Sequence, residues 1–145
     1  MTRRKKVMIF GVFDGIHDGH KEFLKQAKKL GDYLIAVVAR DHVVEHLKGE
    51  LPKINLAERF QHLRETDNVD AVIVGDSELR KWDVLDIHRP QIVALGYDQE
   101  AIREELENYF KDKDWQPTIK MMKAHEGGKF HTGLLNKFKK NKKAS

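Results

Sequence analysis

Apolar and polar positions follow two different periods along this chain. Short uninterrupted apolar runs, Val7-Met8-Ile9-Phe10 first among them, have the character of strands buried on both faces. Longer stretches between them repeat their apolar residues at helical spacing, as Phe23, Leu24, Ala27 and Leu30 do. The pattern predicts strands over 7–10, 33–39, 71–74, 92–95 and 118–122. It predicts helices over 21–30, 56–64, 78–87, 99–110 and 132–140, with Asn55 as the cap of the second, while 41–47 reads as a short helix or a loop. Strand and helix in alternation specify the α/β class: a Rossmann-like, doubly wound sheet of about five parallel strands with helices on both faces. In such a sheet ligands bind at the carboxyl ends of the strands. Functional residues are therefore expected just after strands one, two, four and five.

Length and composition narrow the picture further. The chain has 145 residues, which suits a single domain over 1–145 with basic tails at 1–6 and 137–145. It has no cysteine, so disulfides, thiolate metal sites and thiol catalysis are excluded, in keeping with a cytoplasmic protein. No apolar stretch approaches the ~20 residues that a spanning helix needs, and the run behind the basic start is too short for a signal peptide. The net charge of +4 is concentrated at the ends: Arg3, Arg4, Lys5 and Lys6, then Lys137, Lys139, Lys140, Lys142 and Lys143. Without these residues the body is acidic. No aromatic or base-reading motif accompanies the terminal lysines, so they read as solvated tails rather than a nucleic-acid site.

The chemistry concentrates in Gly11-Val12-Phe13-Asp14-Gly15-Ile16-His17-Asp18-Gly19-His20, a loop between the first strand and the first helix. Glycines let the backbone approach a ligand closely, and the helix start favours an anion through its free N–H groups and dipole. A lone histidine at a helix start is usually a cap or a surface residue. Two of them, His17 and His20, can point at one bound group with no side chain at Gly19 in the way, and both can donate to phosphate oxygens. The P-loop pattern GxxxxGK[ST] and the dinucleotide pattern GxGxxG are absent, which removes the main support for ATPase and dehydrogenase readings.

Phe13-Asp14 followed by His17-x-Gly19-His20 resembles the signature of the HxGH nucleotidylyltransferases. The resemblance implies that the chain binds a nucleoside triphosphate with Mg2+ and transfers its nucleotidyl group to a phosphate-bearing acceptor, releasing pyrophosphate. It implies His17 and His20 as the catalytic pair, and Val12, Phe13, Asp18 and Gly19 beside them at the nucleotide. Mg2+, or another divalent cation, would be held mainly by the triphosphate, with no protein ligand assigned. A homodimer is also implied.

Three further segments fall where the architecture expects function, and a fourth lies ahead of strand three. After strand two comes Leu47-Lys48-Gly49, whose lysine is either an ordinary loop residue or a contact to substrate phosphate; the resemblance favours substrate binding by Lys48. Ala57-Glu58-Arg59-Phe60-Gln61-His62-Leu63 resembles the family's ERxxxL segment. Arg59 is a candidate for the acceptor phosphate as a forked donor, or it pairs with Glu58, Glu65 or another acid. After strand four stand Gly96 and Asp98, where Asp98 caps the next helix, meets the nucleotide, or does both in turn. Last comes Lys129-Phe130-His131-Thr132-Gly133-Leu134-Leu135-Asn136-Lys137. Most of the superfamily has a motif close to RTxGIST there, of which this chain keeps only Thr132 and Gly133. His131 and Thr132 remain nucleotide-binding candidates, and Lys129 or Lys137 can replace the missing positive charge.

Within the superfamily the chain looks most like the archaeal-type FAD synthetases, which adenylylate FMN, through Val38-Ala39-Arg40-Asp41, Leu47-Lys48-Gly49 and Leu95-Gly96-Tyr97-Asp98-Gln99. ATP and FMN are the substrates this implies. Glycerol-3-phosphate cytidylyltransferase, with CTP, is the nearest alternative. The diverged final motif also leaves room for a catalytically weak nucleotide-binding regulatory module.

Overall fold

A computed structural model describes residues 4–78 and 81–123. Five parallel strands form one sheet: β1 (Lys6–Gly11), β2 (Tyr33–Val38), β3 (Ala71–Val74), β4 (Ile92–Leu95) and β5 (Thr118–Met121). Their order is β3-β2-β1-β4-β5, which reverses direction between β1 and β4, as in a doubly wound fold. The β1–β2 register runs from Lys6 opposite Tyr33 to Gly11 opposite Val38, so the two strands end together.

Strand periodicity sorts the core into two layers. Val7, Ile9, Leu34, Ala36, Val38, Ile92 and Ala94 face one side, against Leu24 and Ala27 of α1 (Asp18–Lys28) and Leu63 of α3 (Leu56–Arg64). Met8, Ile35, Val37, Val93 and Leu95 face the other, against Val84 and Leu85 of α4 (Asp83–His88) and Leu106 and Phe110 of α5 (Glu100–Phe110). The short α2 (Asp41–Lys48) follows β2 and buries only Val44. Residues 41–47, left open between helix and loop, are thus helical. The Asn55 side chain caps α3 by accepting from the Glu58 amide at 2.9 Å.

Two predicted helix starts moved by three residues or more. The helix expected over 78–87 begins at Asp83, because Trp82 takes a left-handed conformation, φ 58°, and lays its ring edge-on against Phe10. The first helix starts earlier than predicted, at Asp18, which brings both motif histidines into its cap. The predicted final helix over 132–140 lies outside the described residues.

Candidate active site

His17 is the N-cap residue of α1, and its Nδ1 accepts from the Gly19 amide at 3.1 Å and the His20 amide at 3.4 Å. His20 reciprocates, its Nδ1 accepting from the His17 amide at 3.3 Å. This is a capping box made from two imidazoles, and it has a chemical consequence. An Nδ1 that accepts carries no proton, so a neutral ring holds its proton on Nε2 and presents it as a donor. The rings lie 3.8 Å apart between centroids, so the two Nε2–H donors belong to neighbouring rings. Gly19 is required for this: a β-carbon there would stand 2.9 Å from His17 Cε1. The cap also corrects the expectation of open amides at the helix start, since the His17 ring already occupies those of Gly19 and His20.

Burial, with His17 and Lys48 nearby, lowers the pKa of His20 to about 4, while Asp98 acts the other way. His20 is therefore neutral across the physiological range. In the unfolded chain it titrates near 6.5. Between those values the unfolded state binds the proton and the folded state does not, so this group's stabilisation is complete above about pH 6.5 and is lost as pH falls toward 4. A histidine titration followed by NMR, with His20→Gln for assignment, should place the His20 midpoint near 4; a midpoint near 6.5 would contradict the burial argument.

The other motif residues divide between ligand-facing and bracing roles. Phe13 is 4% exposed with φ 54°, and its ring fills the space that a side chain at Gly11 would need. Its side chain is thus a core group, and only its backbone can serve a nucleotide. The Val12 carbonyl is occupied by Arg59. Asp14 turns away from the histidines to accept the amides of Lys53 and Ile54, both at 2.8 Å, and the Lys53 bond leads the effects that lower its pKa. Asp14 thereby fixes the α2–α3 connector to the motif loop. Asp18 is exposed in the first turn of α1.

Of the two readings open for Arg59, the structure bears out the pair with another acid, Asp41, and corrects the substrate contact. Arg59 is fully buried and cannot meet an acceptor phosphate; it also avoids Glu58 and Glu65. Nε donates to the Ile54 carbonyl, Nη1 to those of Val12 and Ala39, all at 2.8 Å, and Nη2 pairs with Asp41 at 2.6 Å. One guanidinium thus joins the loop after β1, the end of β2 and the connector before α3. A planar five-donor fork is suited to this, and an ammonium is not.

Lys48 ends α2, with Gly49 in the left-handed C-cap position at φ 80°. Its charge acts on both Asp14 and His20, which places it on the β2 side of the paired imidazoles. A recess of about 140 Å3 opens beside it, lined by Asp14, Val44, Leu51 and Lys53. A larger groove of about 870 Å3 between α1 and α3 includes Gly15, Ile16 and Asp18 but neither His17 nor His20.

On the β4 side, Asp98 is exposed and close enough to act on His20. It does not cap α5, whose N-cap is Gln99 with no capping bond. Gln99 was given no role of its own from the sequence. Its Oε1 accepts from the Gly96 amide at 2.7 Å and its Nε2 donates to the Phe10 carbonyl at 3.0 Å, tying the turn after β4 to the end of β1. Lys129, His131, Thr132 and Lys137 lie outside the described residues.

A family model of cytidylyltransferase-like proteins matches residues 8–123. Among similar proteins, an FAD synthase of Thermococcus sibiricus is 42% identical over 112 residues, 73% of this chain and 76% of that one. An FAD synthase of Pyrococcus horikoshii is 43% identical over 110 residues, 75% and 74% of the two chains. Among solved structures, a lipopolysaccharide core biosynthesis protein of Thermoplasma volcanium superposes with a TM-score of 0.79 at 32% identity, covering 86% of this chain and 100% of the other. A pantoate-beta-alanine ligase of Francisella tularensis shares the fold at 14% identity, with a TM-score of 0.62 over 87% of this chain and 61% of its own.

Proposed function

We propose a reaction from one premise: this chain belongs to the cytidylyltransferase-like family. The reaction is transfer of AMP from ATP to FMN, giving FAD and pyrophosphate. The observation that carries the class of chemistry is the pair of Nε2–H donors that His17 and His20 present at the carboxyl end of β1. The similarity to FAD synthases of Thermococcus and Pyrococcus supports the choice of substrates.

ATP would lie in the crevice where the sheet reverses, between the loop after β1 and the turn after β4, with Gly96 and Asp98 on its far side. FMN would approach from the β2 side, past Lys48. A phosphate oxygen of FMN attacks the α-phosphorus in line, the new P–O bond forms as the bond to the β-phosphate bridging oxygen breaks, and the electron pair leaves on pyrophosphate. The FMN phosphate is already ionised at neutral pH, so no general base is needed. His17, His20 and Lys48 stabilise the charge that moves onto the leaving group, and the rest of the acceleration is positioning.

A divalent cation bound to the triphosphate would neutralise part of that charge. The described residues hold no group of three or more His, Cys, Asp or Glu able to retain an ion by themselves, so they do not fit a resident metal site. The divalent ion is accordingly expected to arrive with the nucleotide. Excess EDTA should stop turnover, and added Mg2+ should restore it at once.

The deciding experiment offers FMN, glycerol 3-phosphate and phosphopantetheine in turn, each with ATP and with CTP, and reads pyrophosphate. FAD from FMN and ATP alone is the expected result. Turnover confined to CTP with glycerol 3-phosphate would reject the substrate assignment while keeping the class.

A further inference from the structure

The residue after the Ala39 carbonyl held by Arg59 is Arg40, at the carboxyl end of β2 beside the motif loop. It is half-buried. Its Nε donates to the Gly75 carbonyl at 2.9 Å, which fixes the direction of the guanidinium. Among the described residues Nη1 and Nη2 have no partner, and no carboxylate forms an ion pair with Arg40. The nearby acids are engaged elsewhere: Asp41 with Arg59, and Asp76, next in the chain to Gly75, with the Val84 amide.

The placement is electrostatically unfavourable. Arg40 is the N-cap of α2, the positive end of that helix, where it makes no side-chain capping bond and where an acid or a hydroxyl would be stabilising. A residue carried in this setting, with a fixed fork and two nitrogens that have no protein partner among the described residues, at the carboxyl end of the sheet where this fold binds ligands, has the features of a donor waiting for its acceptor.

We propose that Arg40 binds the acceptor substrate, its Nη1 and Nη2 donating together to two neighbouring acceptor atoms on that molecule. This rests on the FAD-forming reading above. Two parts of FMN offer such a pair: two phosphate oxygens, or the carbonyl and ring nitrogen along the pyrimidine edge of the flavin. The shared chemistry is a planar two-point acceptor, which suits a guanidinium and not an ammonium. Arg40 follows β2 and its Nε is directed to Gly75 after β3, away from the crevice between β1 and β4, so its loss should weaken the flavin and leave ATP alone.

The test uses the full chain. Quenching of flavin fluorescence measures affinity for FMN and for riboflavin, and steady-state kinetics give KM for ATP, in wild type, Arg40→Ala and Arg40→Lys, with melting temperatures alongside. Arg40→Ala is expected to weaken FMN binding about tenfold or more, with KM for ATP within about twofold, and Arg40→Lys should recover little. If riboflavin affinity is unchanged the contact is to phosphate; if it falls in step, the contact is to the ring edge. Either supports the proposal. Unchanged flavin affinity in Arg40→Ala overturns it, as does full rescue by lysine, or a parallel loss for flavin and ATP with a lowered melting temperature, which would mean that Arg40 acts only through Gly75. Wild type that binds no flavin would reject the FAD-forming reading, and this inference with it; wild type that binds flavin as tightly as Arg40→Ala rejects the inference alone.

Discussion

Alanine at either His17 or His20 is expected to lower kcat by a factor on the order of 100 or more, because each substitution removes one preorganised donor to the oxygens that gain charge. The two histidines are not equivalent in the fold, and this allows a sharper test. His17 also caps α1, so His17→Ala should cost stability as well, roughly 1 kcal/mol, too little to unfold the domain. His17→Asn restores a side-chain oxygen that can accept from the first-turn amides, yet it has no Nε2–H. It should therefore recover the melting temperature without recovering turnover. His20 makes its contribution as a neutral donor, so its substitution should leave no missing inflection near pH 6.5 in the rate profile. Near wild-type turnover in both alanine variants would end the catalytic assignment.

Arg59→Met should be the most destabilising of the single substitutions considered. Removing the guanidinium leaves three backbone carbonyls and Oδ1 of Asp41 without their donors, while Oδ2 of Asp41 keeps the Leu56 amide. Asp41 is exposed enough to turn to water, so the cost comes from the carbonyls left without a donor, about 1–3 kcal/mol each, against a total of about 5–15 kcal/mol for an ordinary domain. Urea unfolding should show that loss as a fall in midpoint. Arg59→Lys keeps the charge and a single compact head, which cannot reach acceptors on three segments, so it should recover only part of the loss. The same pair of variants separates the two readings that the sequence left open. A substrate contact predicts a raised KM with normal stability; a brace predicts lost stability whatever the substrate concentration.

What the sequence revealed follows from what each feature depends on. Strand β3 at Ala71–Val74, β4 at Ile92–Leu95 and helix α3 with its Asn55 cap were legible to the residue, since apolar period and cap chemistry are local properties. The start of α4 was not, because the left-handed Trp82 is fixed by contact with Phe10, a residue of another element. The histidine pair was legible as chemistry from its spacing, but not its tautomers, which the cap geometry sets. Arg59 was visible as an arginine in a motif. Its partners are mostly backbone carbonyls, two of them 47 and 20 positions away, and no side-chain pattern marks a carbonyl. Gln99 carried no signal for the same reason: an uncharged side chain bonded to two backbone groups.

The buried guanidinium has one more consequence, for motion. Because Arg59 holds the loop after β1, the end of β2 and the connector before α3 with one rigid group, none of the three can swing out without abandoning the donor that the other two still share. Local opening of this side of the pocket is therefore all or none. The amide hydrogens of Lys53 and Ile54, bonded to Asp14 in the motif loop, should exchange with solvent at rates close to that of the core strand β2 rather than at the rates of a surface connector. Substrates would enter a frame already assembled, so that Lys48 and the imidazoles keep their spacing before anything is bound.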